Sequence, residues 1–278
     1  MGWSPTRFRL KNGRHPGFSR RSLNDLITVF ELEKVSAKKD RPGRPKERRP
    51  SLFKLAPPDQ QPGEALGEYA SRVMRAAIRS GQLMSGEHLR EADVAEWLGI
   101  SRTPVREAFH SIAVDGLLVP GRWNGAMIAE LDQNQLVELY AVREALEGAA
   151  ATLAAKHASS AEIENMFEIA KSELGAKDDP SKLVLINSEL HHAIYSATHN
   201  RYLLQSLRTV TDALGLLRHS TFVLPGSIDL ARNEHLEILN AIRDRDENRA
   251  GHWARKHISN ALALRLKLMR GDGSRNLA

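Results

Sequence analysis

The run Gly99-Ile-Ser-Arg-Thr-Pro-Val-Arg-Glu-Ala-Phe109 constrains the fold of this chain more than any other stretch. Gly99 supplies a turn, Ser101 is placed to cap a helix, and Pro104 is tolerated in that helix's first turn. Val105, Ala108, Phe109 and Ile112 recur at spacings that bury one side. Arg102, Thr103 and Arg106 are left on the outer side, which is the form of a recognition helix for DNA. An arginine at the start of such a helix can reach phosphate or the O6/N7 edge of guanine, and the helix N-terminus itself favours phosphate. Two arginines on a short helix also fit a merely solvated surface, so the neighbouring segments decide.

Upstream, Leu66, Tyr69, Ala70, Val73, Met74, Ala77 and Ile78 step by three and four, an amphipathic helix that stops at Gly81. A second short helix is expected from about Glu91 to Leu98, with Val94, Trp97 and Leu98 inward and Gly99 as the turn into the recognition helix. Beyond Gly116, Leu117–Val119 and Ala126–Ala129 flank Pro120-Gly-Arg-Trp-Asn-Gly125 and read as a two-stranded hairpin. Three helices and a hairpin make a winged helix-turn-helix.

Residues 65–131 resemble the N-terminal domain of the GntR family of bacterial transcription regulators, above all in Ile78-Arg-Ser-Gly81, Ser101-Arg-Thr-Pro-Val-Arg-Glu-Ala108 and Asp115-Gly-Leu-Leu118. The resemblance implies that Ser101, Arg102, Thr103 and Arg106 meet operator DNA and that Asn124 and Gly125, at the tip of the wing, touch the minor groove. The wing is poorer in glycine and arginine than is usual for that family.

From Leu131 onward the pattern is helical throughout. Asp132 is a plausible N-cap, and Leu136, Leu139, Tyr140, Leu146, Ala150, Leu153 and Ala154 mark a long helix to about Ala158. Further helices are expected at about 160–174, 181–198, 202–219, 228–244 and 246–270, an all-helical bundle. The fold class is therefore mainly α, with boundaries at 1–60 for a basic extension, 61–130 for the winged helix, 131–270 for the bundle and 271–278 for a tail.

Polar residues on the apolar faces of this bundle are its candidate chemistry. Asn187 and His191 stand at i and i+4 beside Ile186, Leu190 and Ile194; His235 precedes Ile238, Leu239 and Ile242; His257 lies on the stripe of Trp253, Ala254, Ile258 and Ala261. Three imidazoles and an amide oxygen suit a divalent transition metal, although spacing alone fits ordinary core histidines equally. Arg143 falls on the apolar stripe of the first bundle helix, where a buried cation needs an anion. That anion is either Glu147 at i+4 or the carboxylate of a bound effector.

Asn187-Ser-Glu-Leu-His-His-Ala-Ile194, Asn233-Glu-His-Leu-Glu-Ile-Leu-Asn-Ala-Ile242 and the segment from Asp246 through His257 resemble the signature segments of the FCD ligand-binding domain of FadR-like members of that family. The resemblance implies a metal, zinc being the usual one, held by Asn187, His191, His235 and His257, with Arg143 serving the effector pocket. Asparagine stands where that family more often has aspartate, which removes one negative charge from the ligand set and should weaken metal binding.

Composition sets the outer limits. There is no cysteine, so disulfides and thiolate metal sites are excluded. No apolar run approaches the roughly 18 residues of a membrane span, and a cytoplasmic location is expected. The net charge of +6 is misleading, because residues 1–60 hold 15 Lys+Arg against 6 Asp+Glu and the remainder is slightly acidic. DNA binding must then rest on a few placed cations, doubled in a homodimer. Within the extension, Arg41-Pro-Gly-Arg-Pro45 resembles the core of an AT-hook, while the bland reading is a solvated basic tail. The function expected is a sequence-specific repressor that binds double-stranded operator DNA and answers to a small organic or sugar acid at a metal-containing cavity. A regulator for which the metal is itself the signal is the alternative, and a metalloenzyme, for which no general base is placed, is a more distant one.

Overall fold

The computed structural model describes residues 56–121, 125–176 and 179–275, with side chains to residue 271. The first part comprises α1 (Leu66–Arg79), β1 (His88–Leu89), α2 (Glu91–Leu98), α3 (Arg102–Val114), β2 (Leu118–Pro120) and β3 (Ala126–Ile128). Tyr69, Val73, Met74, Ala77 and Ile78 bury the inner stripe of α1 against Val105, Phe109 and Ile112 of α3. Removing the valine, methionine, isoleucine and phenylalanine side chains among these from water contributes about 1.5–3 kcal/mol each. Gly99 holds the turn between α2 and α3 at φ 66°, a conformation that a side chain would strain.

The expected hairpin forms from β2 and β3, with Leu118 opposite Ile128, and β1 adds a third antiparallel strand that was not expected, in the order β1-β3-β2, with His88 opposite Met127. The added strand has only two residues, too few to show an alternating pattern, and it forms because β3 otherwise presents an open edge. Ser101 occupies the N-cap position of α3 with extended dihedrals, yet its side chain makes no capping hydrogen bond. A capping hydroxyl takes the N–H of the second or third helical residue; Pro104, the third, has none to offer, and Ser101 does not take that of Thr103, the second.

The second part is helical: α4 (Gln133–His157), α5 (Ser160–Ser172), α6 (Pro180–Ser196), α7 (Arg201–Leu214), α8 (Ser227–Arg243) and α9 (Glu247–Arg275), with 3-10 turns at Glu173–Ala176 and Thr221–Val223. Its starts are chemically marked. Asp132 with Gln135 and Ser159 with Glu162 form reciprocal capping boxes, Asp179 caps α6 ahead of Pro180, and Asn200 caps α7. The core runs through Ala151, Ala154, Met166, Leu183, Leu190, Leu239 and Ile242. Helices α4 and α9 pack closely because Gly148 and Gly251 face the crossing, where a Cβ on Gly251 would lie 2.4 Å from Thr152 Oγ1. No helix among the described residues is long and apolar enough to cross a membrane.

Candidate functional site

Two places carry the candidate chemistry. On the winged helix, Ser101, Arg102, Thr103 and Arg106 are all exposed at the start of α3, whereas Pro104, Val105, Ala108 and Phe109 are buried. The arginines do not hang free. Arg106 Nε donates to Glu91 Oε1 and its Nη2 to Glu91 Oε2, both at 2.9 Å, and Arg102 Nη2 reaches Glu91 Oε2 at 3.5 Å. Glu91, at the start of α2, keeps its carboxyl below the usual range through these bonds to Arg106. It was not singled out from sequence, because only the turn at Gly99 brings α2 back against α3. Gly125 accepts a hydrogen bond from Gly121 N at 2.9 Å at the base of the wing loop, and Asn124 lies outside the described residues.

Inside the bundle, α6, α8 and α9 bring His191, His235 and His257 together, with ring centroids 4.7–5.5 Å apart. One ring nitrogen from each lies within 4.8 Å of the others. All three imidazoles are buried, His235 at 1% exposure. Each turns its Nδ1 to a carboxylate: His191 to Glu147 Oε2 at 2.7 Å, His235 to Glu173 Oε1 at 3.0 Å and His257 to Glu234 Oε2 at 2.8 Å. A carboxylate accepts, so the neutral tautomer that fits these contacts donates through Nδ1 and leaves the lone pair on Nε2. Nε2 of His191 and of His235 are buried without a hydrogen-bond partner. Inward lone pairs with no donor between them are costly unless a cation takes them.

The carboxylates are themselves anchored. Glu147 Oε1 accepts from Arg143 Nε at 2.5 Å, and Glu234 Oε1 accepts from Asn260 Nδ2. Arg143 is therefore paired with Glu147, the internal partner at i+4, and it also lines the cleft beside the histidines. Burial pushes the Glu147 carboxyl up, but the attraction of Arg143 and His191 outweighs it and the net shift is downward. Burial lowers His191 against the pull of Glu147. It lowers His257 further, with His235 and His191 adding to the effect. Neutral imidazoles are the form a metal ion binds.

Asn187, one helical turn before His191 on α6, is half-buried and lines the same cleft. Tyr140, Tyr195, Leu204 and Leu207 complete the wall around this end. The donor set is thus three imidazole nitrogens, with Asn187 on the wall of the same cleft, which suits zinc or another borderline divalent ion and leaves positions for a carboxylate oxygen. Glu173 and Glu234 were not foreseen. Glu234 adjoins His235 in sequence but serves His257, and Glu173 reaches His235 from a 3-10 turn 62 residues away.

Comparison with known proteins bears on both places. Residues 68–128 match the model for bacterial regulatory proteins of the gntR family, and residues 138–260 match that of the FCD domain. The chain is 31% identical over 185 residues to a protein of Paenarthrobacter nicotinovorans described as "Probable D-xylose utilization operon transcriptional repressor", covering 66% of this chain and 80% of that one. It is 28% identical to the "Nta operon transcriptional regulator" of Aminobacter aminovorans, over 67% and 88% of the two chains. Among solved structures, E. coli McbR/YncC has the same fold, with a TM-score of 0.67 and 20% identity over 74% of this chain and 99% of that one.

Proposed function

This chain belongs to the GntR family of bacterial regulatory proteins and carries its FCD domain, so it is a transcription regulator and not an enzyme; from that premise we propose that it is a homodimeric repressor released by a small acid bound at a metal-holding cleft. In this reading residues 61–130 bind operator DNA, residues 131–270 bind the effector and form the dimer, and residues 1–60 add only sequence-poor, salt-sensitive affinity.

One observation carries the cleft assignment. Three carboxylates fix three imidazoles by Nδ1, and the Nε2 atoms of His191 and His235 are left buried and partnerless beside His257. His191, His235 and His257, with Asn187, would hold the metal, zinc by donor type. When bound it supplies a Lewis-acid position for an oxygen of the effector. Arg143, already oriented by Glu147, offers its guanidinium edge to the effector's carboxylate. The relative named for a D-xylose operon is described as a repressor, and we carry that sign of regulation to this chain.

On the winged helix, Arg102 and Arg106 would read the major groove with Thr103 and Ser101 on the phosphates, and Gly125 with Asn124 would enter the minor groove. The experiment is selection of duplexes from a random pool by the full-length protein, then measurement of affinity for the selected duplex with zinc and a panel of organic and sugar acids. The proposal expects one acid, in the presence of zinc, to weaken binding about 5- to 150-fold. A response to zinc alone, with no acid active, replaces the acid by the metal as the signal.

A further inference from the structure

The segment from Asp212 to Arg218, at the end of α7, belongs to both halves of the molecule. Ala213 and Leu216 pack into the winged-helix core with Met74, Ile78 and Ile112, and Leu216 is only 3% exposed. Leu214 and Leu217 pack the other way, against Leu136, Tyr140 and Ile258 of the bundle. Between them Gly215 lies against α1 so closely that a Cβ would stand 2.8 Å from Arg79 Cα. Polar bonds fix the same seam. Ser85 Oγ donates to the carbonyl of Leu216, and Arg218 Nη2 donates to the carbonyl of Ser85 at 3.0 Å.

At the head of this segment Asp212 is buried, at 5% exposure. It accepts from Arg75 Nη1 at 3.1 Å and from Arg79 Nη1, both on α1. Arg75 does not stop there. Its Nη2 pairs with Asp115 Oδ2 at 2.5 Å and reaches the carbonyl of Ser111 at 3.4 Å. Ser111 lies in α3 and Asp115 is its C-cap. One guanidinium thus bridges a buried carboxylate of the bundle and the far end of the recognition helix. Upstream on α7, Leu204, Leu207 and Thr211 line the cleft that holds the histidines.

We propose that Asp212 is the positioning residue through which occupancy of the cleft reaches the recognition helix, by way of Arg75 and Asp115. The inference rests on the effector reading above. A ligand that shifts α7 cannot move Asp212 alone, because Leu216 is embedded in the winged-helix core and Gly215 leaves no slack against Arg79. The shift is delivered to α1 and α3 as a change in their orientation. Parting one side of a buried ion pair leaves an uncompensated charge and is strongly unfavourable, so the bonded groups move together, which is what such a joint requires.

The test uses the full-length protein, its selected duplex, zinc and the acid panel. Wild type is expected to change duplex affinity about 5- to 150-fold on ligand addition. Asp212→Asn is expected to lose that response while binding zinc and the acid as wild type does by calorimetry, and Asp212→Glu to retain part of it. Arg75→Gln, which cuts the bridge between Asp212 and Asp115 from the α1 side, gives the same readout should Asp212→Asn fold poorly. An undiminished response in these variants overturns the proposal, as does a wild type that binds zinc and acid with no change at the duplex. Should wild type bind neither ligand, the cleft reading fails, and the joint is then judged by hydrogen exchange without ligand. Faster exchange over Arg102–Val114 in Asp212→Asn, with Ser227–Arg243 unchanged, supports it; unchanged exchange over Arg102–Val114 overturns it.

Discussion

Glu173 Oε1 lies 3.0 Å from His235 Nδ1 although 62 residues separate them, and both side chains are buried. The carboxylate therefore sets which nitrogen of His235 faces His191 and His257. Loss of such an outer partner commonly reduces metal affinity about 10- to 100-fold. Glu173→Gln should weaken zinc binding by that factor in a chelator competition titration, and His235→Ala should abolish stoichiometric zinc. Equal zinc content in wild type and His235→Ala would make the histidines ordinary core residues.

Arg106 is held by Glu91 in a two-bond fork before any DNA is present. Arg106→Ala should cost about 1–3 kcal/mol on the selected duplex and little on random DNA. Glu91→Gln removes a negative charge from the DNA-facing end of α2 and frees both arginines, so random-duplex affinity should rise while the ratio of specific to random binding falls. Fluorescence anisotropy at two salt concentrations separates these effects. A specificity ratio that Arg106→Ala leaves unchanged would reject α3 as the reading helix.

Much of this was legible in sequence, for a physical reason. The apolar stripes of α1, α3 and α4 are periodic, and Asp132, Gly99 and Pro180 mark ends by local chemistry that needs no tertiary context. The family resemblance likewise named the residues now found together as His191, His235 and His257. What stayed hidden depends on long-range packing. Strand β1 is two residues with no pattern of its own, and Glu91, Glu173 and Glu234 look like any solvated glutamate until the chain folds. The Asp212–Arg75 bond joins positions 137 apart. Ser101 takes the N-cap position expected of it but makes no capping hydrogen bond, and Pro104 leaves only the N–H of Thr103 to cap.

The Arg143–Glu147 pair is buried on both sides. Breaking it by Arg143→Met leaves the buried Glu147 carboxylate without its guanidinium, with His191 and Tyr195 as remaining partners, and should cost about 3–5 kcal/mol in urea unfolding. Arg143→Met combined with Glu147→Gln should recover part of that loss, because no uncompensated charge remains. Acid binding should stay impaired in both variants. Normal acid affinity in the recovered double variant would remove Arg143 from the effector's contacts.

The buried histidines predict a direction of pH dependence. His191 and His257 are lowered in the folded protein, chiefly by burial, whereas the unfolded chain titrates near the ordinary 6.5. Above that value their contribution is fully present. Below it the unfolded state takes up protons that the native state refuses, and stability falls by up to about 1.4 kcal/mol per pH unit for each proton. The lowered Glu147 adds to the loss at still lower pH, below the ordinary carboxylate value of 4.5. Thermal unfolding of chelated protein should give a flat Tm above pH 7 and a steady decline from 6.5 towards 5. A Tm that rose over that interval would mean the cluster is protonated in the native state.

Metal and acid sharing one cleft makes their binding interdependent, which calorimetry of the full-length protein reads out. An acid panel titrated into chelated protein and into zinc-loaded protein should show one acid binding only when zinc is present, with Asn187→Ala weakening zinc and Arg143→Met weakening the acid. Equal acid binding with and without zinc, or no acid binding to zinc-loaded protein, would contradict the account.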